Sequence, residues 1–185
     1  EVIRVEPPAN GDGFGGDRDG YDFQNLHRNK RSIALNLKSP EGKAALMKLA
    51  ANADVLVENM RVKVKHRLGI AYDDLKGINP RLIYASISGF GQTGPYGERA
   101  GVDQIAQGMG GMMTITGEPG RGPMRAGIPF VDLTAGNLLA LAVMMALFQR
   151  EKTGQGRYVH TSLLEAMVFM LDLQAARWLM DGEIP

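Results

Sequence analysis

The 185-residue sequence contains no cysteine, which excludes disulfide frameworks, cysteine-based zinc sites and thiol catalysis together. It also lacks an excess of either charge: 21 Lys and Arg against 20 Asp and Glu leave a formal net charge of +1. That balance provides no broad basic surface, so a nucleic-acid partner is not expected. Histidine is scarce, and His27, His66 and His160 show neither an H-x-x-x-H nor an H-E-x-x-H spacing, so no metal site is expected. No G-x-S-x-G turn supports a serine hydrolase. The uniformly apolar run Leu138–Phe148 falls far short of the roughly 20 residues a membrane span needs. It reads as a helix buried in the core, and neither membrane association nor an address other than the cytoplasm is expected. The opening Glu1-Val2-Ile3-Arg4-Val5 has no initiator Met and no signal-peptide core and is already strand-like, so the chain reads as a piece of something longer.

Glycine is what the sequence has in excess: 24 residues, about 13% where roughly 7% is average, with no collagen period. Tight turns and close backbone approaches follow. Strand-like and helix-like stretches alternate. Val2–Val5 stops at Pro7-Pro8, and residues 9–25 read as an exposed loop. Strands are expected over Ser32–Leu37, Asp54–Glu58, Leu82–Ser88 and Arg157–Thr161. Helices are expected from Pro40 to about Ala51 with Ser39 as cap, over Val62–Leu68, Tyr72–Ile78, Asp103–Thr116 and Leu133–Gln149, and from Ser162 to Met180, where Ser162 precedes Glu165 by three residues. This alternation predicts an α/β fold with a Rossmann-like parallel sheet covered by helices. Methionines 109, 112, 113, 144, 145, 167 and 170 read as adaptable core filler.

Three features carry potential chemistry. Gly89-Phe90-Gly91-Gln92-Thr93-Gly94 is a literal G-x-G-x-x-G after a strand, but Pro95 and a polar stretch follow where a dinucleotide site needs a helix. Arg28, Lys30, Arg31, Lys38, Arg61, Lys63, Lys65 and Arg67 cluster near element ends, either as ordinary surface charges or as a set able to neutralise a phosphorylated ligand. Asp132 precedes an apolar helix, where an acid is usually an N-cap; the same position would keep a carboxylate ionised and nucleophilic. Asp103, also at a helix start, is the competing carboxylate.

The stretches 27–33 (His27-Arg28-Asn29-Lys30-Arg31-Ser32-Ile33), 37–42, 53–59, 79–84, 86–95 and 152–156, taken in order, resemble the family III CoA-transferases, the CaiB/BaiF group. The resemblance covers nearly the whole chain. It implies an enzyme that moves CoA from an acyl-CoA to a free carboxylic acid, with Asp132 as nucleophile through aspartyl anhydride and thioester intermediates. It implies CoA contacts at Leu35, Asn36, Leu37 and Lys38, at Asn59, Met60 and Arg61, and at Arg67 and Leu68. A pantetheine path along Gly101, Val102, Asp103, Gln104, Ile105 and Ala106 follows from the same likeness. Acyl-CoA and the acceptor acid are then substrates, no cofactor is held permanently, and glycines flanking Asp132 would admit backbone amides to the thioester oxyanion.

The family's interlocked homodimer is the expected assembly. Residues 1–185 would form the large CoA-binding and catalytic domain, lacking its first strand and helix and the smaller C-terminal domain. The racemase branch of the family uses a histidine immediately before the aspartate that aligns with Asp103; here Val102 stands there, so two-base proton exchange lacks one base. A non-catalytic CoA-binding fragment is the remaining alternative. The chain departs from the usual pattern at Arg61-Val62-Lys63, where Arg-Pro-Gly is common, and at His27, where Asn is common.

Overall fold

Each strand of the chain is followed by a helix, and every strand pair is parallel, as β-α alternation requires. The structure is a computed structural model that describes residues 1–8 and 18–184. It divides into two compact units, Glu1–Asn52 and Ala53–Pro185.

In the first unit, β1 (Ile3–Glu6) pairs with β2 (Arg31–Ala34), Ile3 opposite Arg31, and α1 (Tyr21–His27) lies between them in sequence. Helix α2 (Pro40–Ala50) starts as the sequence predicts: Ser39 Oγ accepts the Gly42 amide at 3.1 Å and Pro40 takes the first turn. Gly42, Leu46 and Ala50, four apart, form its buried face. Glycine is required at 42, because a Cβ would sit 2.1 Å from the Asn36 carbonyl oxygen.

In the second unit, β3 (Val55–Glu58), β4 (Ile83–Ser88) and β5 (Arg157–Ser162) form a sheet in that order. Central β4 is buried continuously from Ile83 to Ser86, the signature of a strand covered on both faces. Between β3 and β4 come α3 (Val62–Leu68), ended by Gly69 in the left-handed region (φ 63°), and α4 (Tyr72–Leu75). After β4 come α5 (Asp103–Met109) and α6 (Phe130–Thr153); after β5 come α7 (Leu163–Leu171) and α8 (Leu173–Asp181). Ala106 of α5, Val131 and Ala135 of α6, and Leu163, Ala166 and Met167 of α7 form one core cluster. Arg150, near the end of α6, bonds Asp54 Oδ1 at 2.8 Å and the Arg81 carbonyl at 3.1 Å, both just before strands. With that end tied to the strands' N-terminal edge, the first turn of α6 points toward their C-terminal edge.

The parallel α/β class is borne out, with the strands divided between two sheets. Several expectations are corrected. Of the stretch read as loop over 9–25, residues 9–17 lie outside the described residues, and Tyr21–His27 is helical: Phe23 stacks edge-on with His27 at 4.5 Å, and Arg4 and Arg18 lie over the Phe23 ring. The helix from Asp103 stops at Met109, where Gly110 lets Met167 approach so closely that a Cβ would lie 2.2 Å from its Cγ. The last helix is two, broken at Asp172, whose φ is +46°.

Helix α6 is not buried all round. Val131, Ala135, Leu139, Ala146 and Arg150 are covered, whereas Leu133, Leu141, Met144, Met145 and Phe148 are exposed. By length and composition alone its 24 residues would cross a membrane, so the shorter apolar run understated it. The core-filler reading of the methionines holds for Met167 and fails for Met109, Met144, Met145 and Met170, which are exposed.

Candidate active site

Parallel sheets gather ligands at the loops beyond their strands' C-terminal ends, and part of the resemblance-implied set falls in such loops: 35–38 after β2 and 59–61 after β3. In the first unit, Leu35–Lys38 follows β2, and its turn is closed by the Ser39 amide on the Asn36 carbonyl (3.0 Å) and the Lys38 amide on Asn36 Oδ1 (3.1 Å). In the second, Asn59, Met60 and Arg61 link β3 to α3, Arg67 and Leu68 end α3, and Gly101–Ala106 leads into α5.

The loop after β3 is fixed from beneath. Glu58, buried at the end of β3, accepts the Met60 amide on Oε2 at 2.7 Å and the Lys65 ammonium on Oε1 at 2.8 Å. Lys65 also donates to Ser86 Oγ at 3.0 Å and lies over the Tyr84 and Tyr158 rings. Burial, with the Glu58 charge second, pushes the Tyr84 hydroxyl far above the usual tyrosine range. Lys65 is therefore a structural cation, which corrects its place among ligand-facing charges. Arg28, Lys30, Arg31 and Lys63 are also engaged: with Asn25, with the Leu26 carbonyl, with Glu1 and with Glu98. Lys38, Arg61 and Arg67 are exposed and make no ion pair among the described residues, so the basic set contracts to these three.

The G-x-G-x-x-G stretch opens no helix; Gly91 and Gly94 hold positive φ (91° and 87°) in a turn. Gly89 is required for contact. A Cβ there would lie 2.4 Å from the Gly101 Cα, so the loop after β4 doubles back against the start of the 101–106 segment.

Asp132 occupies the third position of α6, past the N-cap Pro129, and its side chain makes no capping bond; the N-cap reading is corrected. The cap comes from elsewhere. Asp103 Oδ1 accepts the Val131 amide at 2.7 Å and the Asp132 amide at 3.3 Å, and Asp103 Oδ2 accepts Gln107 Nε2 at 2.6 Å. Buried Gln107 also takes the Ala126 amide on Oε1 at 2.8 Å, tying down the loop that leads to α6. Asp132 itself is exposed, yet protein packed along one side of its carboxyl removes part of its hydration. This desolvation, with the Asp103 charge second, raises its pKa above the ordinary aspartate value.

Neither Gly127 nor Gly136, flanking this segment, has a tertiary neighbour among the described residues within 4 Å of where a Cβ would stand. Among the described residues no group of three His, Asp or Glu side chains could hold a metal ion.

Parallel sheets flanked by helices define an α/β protein, with an exposed carboxylate at the start of α6. The model of CoA-transferase family III matches residues 1–185, and the chain belongs to that family. It is similar to a succinate–glutarate CoA-transferase of Agrobacterium fabrum (39% identical, 100% of this chain, 49% of the relative). It is also similar to the human succinyl-CoA:glutarate CoA-transferase (40%, 97% and 42%). Among solved structures, a CaiB/BaiF family protein of Brucella suis superposes with a TM-score of 0.90 at 40% identity, covering 100% of this chain and 51% of that one. The chain thus spans about half the length of the relatives it matches.

Proposed function

We propose that this chain is the CoA-binding, nucleophile-bearing part of a cytoplasmic, homodimeric CoA-transferase that moves CoA from an acyl-CoA to a carboxylic acid. The observation that carries the reading is Asp132: an exposed carboxylate, in a family III chain, on a helix start whose amides are already satisfied by another residue. An acid spared from capping is available to react.

The steps balance without any redox group or metal. The Asp132 carboxylate attacks the thioester carbonyl, the C–S bond breaks, and CoA leaves as a thiolate, giving a mixed anhydride. The thiolate attacks the aspartyl carbonyl and expels the donor acid, leaving an aspartyl thioester. The acceptor carboxylate attacks that thioester, releasing thiolate again and forming a second anhydride. Attack of the thiolate on the acceptor's acyl carbon yields the new acyl-CoA and frees Asp132. A carboxylate suits this exchange because every intermediate stays activated and every step is reversible.

By the family likeness, Arg61 and Arg67 with Asn59, Met60 and Leu68 are the CoA contacts proposed in the second unit, with Gly101–Ala106 for the pantetheine, and Lys38 with Leu35–Leu37 those proposed in the first. The relatives' names suggest succinyl-CoA as donor and a dicarboxylate such as glutarate as acceptor. The apolar composition of α6 is assigned to packing and dimer formation, and no membrane is invoked.

Incubating the full-length protein with succinyl-CoA and hydroxylamine, then mapping modification by mass, tests the reading. Hydroxamate at Asp132 is the expected result. Active enzyme that never carries it refutes the nucleophile assignment. Deuterium wash-in at the acyl α-carbon without an acceptor acid would support the racemase instead.

A further inference from the structure

We propose that Asp103 is the positioning residue for Asp132, holding the first turn of α6 in register while Gln107 holds Asp103. The inference rests on Asp132 being the nucleophile. All three bonds converge: Asp103 Oδ1 takes the amides of Val131 and Asp132, and Oδ2 takes Gln107 Nε2. Gln107 is fully buried, and its other amide atom is committed to the Ala126 backbone, so it cannot turn away. The constraint therefore runs from the body of α5, through Gln107 and Asp103, to the backbone of the nucleophile itself.

An ordinary N-cap lies next to the helix it caps; this one is supplied from a separate helix, so it also fixes α6 against α5. The Asp103 charge, second to desolvation, also raises the pKa of the Asp132 carboxyl. Its proximity gives the arrangement a second consequence: it keeps the nucleophile more basic than an ordinary aspartate.

The test uses the full-length protein with succinyl-CoA and glutarate, comparing Asp103→Asn, Asp103→Ala and Asp132→Asn. Asparagine keeps an acceptor for the two amides but removes the charge and presents a donor to Gln107. Asp103→Asn is expected to lower kcat by about tenfold with little change in KM for the CoA donor, and to move the acidic limb of the kcat profile to lower pH. Asp103→Ala is expected to lower kcat by a further order of magnitude. A purely structural cap would change melting temperature and leave the acidic limb in place, and that result overturns the proposal. Unchanged kcat in both Asp103 variants, with Asp132→Asn inactive, overturns positioning while sparing the nucleophile. Turnover retained in Asp132→Asn removes the nucleophile reading and this inference with it.

Discussion

Asp132 carries a charge that the fold opposes, and the sign of that opposition has consequences for stability as well as chemistry. Its pKa is raised by desolvation first and by the Asp103 charge second, so the folded state favours the protonated acid. Its stabilising contribution is fully present below the unfolded-chain value of about 4 and is lost as pH rises through the higher folded value. Asp132→Asn, fixed neutral, is therefore expected to melt above the native protein at pH 7 and level with it below pH ~4. In the same variant turnover should fall by three orders of magnitude or so, with CoA affinity retained by calorimetry. Loss of affinity together with turnover would mean that Asp132 shapes the CoA site.

Gly136 gives a contrasting residue-scale prediction. It lies inside α6 with open space where its Cβ would be, so Gly136→Ala should raise stability by about 1 kcal/mol in denaturant unfolding, through helix propensity alone.

The acid at the start of α6 was legible in the sequence; its capping partner was not. Capping rules examine the residues adjoining a helix, and Asp103 reaches the Val131 amide across 28 positions. The local rule therefore assigned the cap to Asp132, the nearest acid.

At the scale of elements, α3 shows why charge patterns in sequence mislead. The Val62–Leu68 boundaries are those expected from periodicity, yet the same segment places Lys65 inward, 3% exposed, against Glu58. No helical period marks which of four neighbouring basic residues will find a buried carboxylate on an adjacent strand. The pair locks α3 and, through the Met60 amide, the loop proposed to meet CoA. Lys65→Met should cost roughly 3–5 kcal/mol, because it leaves Glu58 buried without its counter-charge. Adding Glu58→Gln, which still accepts the Met60 amide, should recover most of that loss in the double variant. If the single and double variants unfold at the same denaturant concentration, the pair is not what holds the helix.

Long periodic elements such as α2 and β4 were read nearly to their ends, since one buried face repeats through each. The start of α5 at Asp103 is as the sequence predicts, but its C-terminal end is decided by tertiary contact, Gly110 yielding to Met167, and no spacing in the local sequence announces that end or the break at Asp172.

At the scale of the molecule, the outstanding feature is apolar surface. Leu133, Leu141, Met144, Met145 and Phe148 on α6, with Leu173, Leu179 and Met180 on α8, are all more than half exposed. Single exposed apolar residues are ordinary, but a row of them along one helix exceeds what a monomeric soluble protein usually leaves to water. This face explains why the apolar run in α6 looked like core when read as sequence: composition reports that a surface will be covered, not which chain covers it. Under the homodimer proposed above, the second copy would do so.

A charge placed at the centre of such an interface forfeits apolar burial and must be desolvated. Met144→Lys with Phe148→Glu removes two side chains each worth about 1.5–3 kcal/mol when covered. The dimer dissociation constant should rise by on the order of a hundredfold or more, visible in sedimentation of the full-length protein across a concentration series. The pair lies about three and four helical turns beyond Asp132, so the monomer, if it keeps its fold, should still bind CoA. A dimer whose dissociation constant is unmoved by both charges would place the interface on another face and leave this apolar row without a partner.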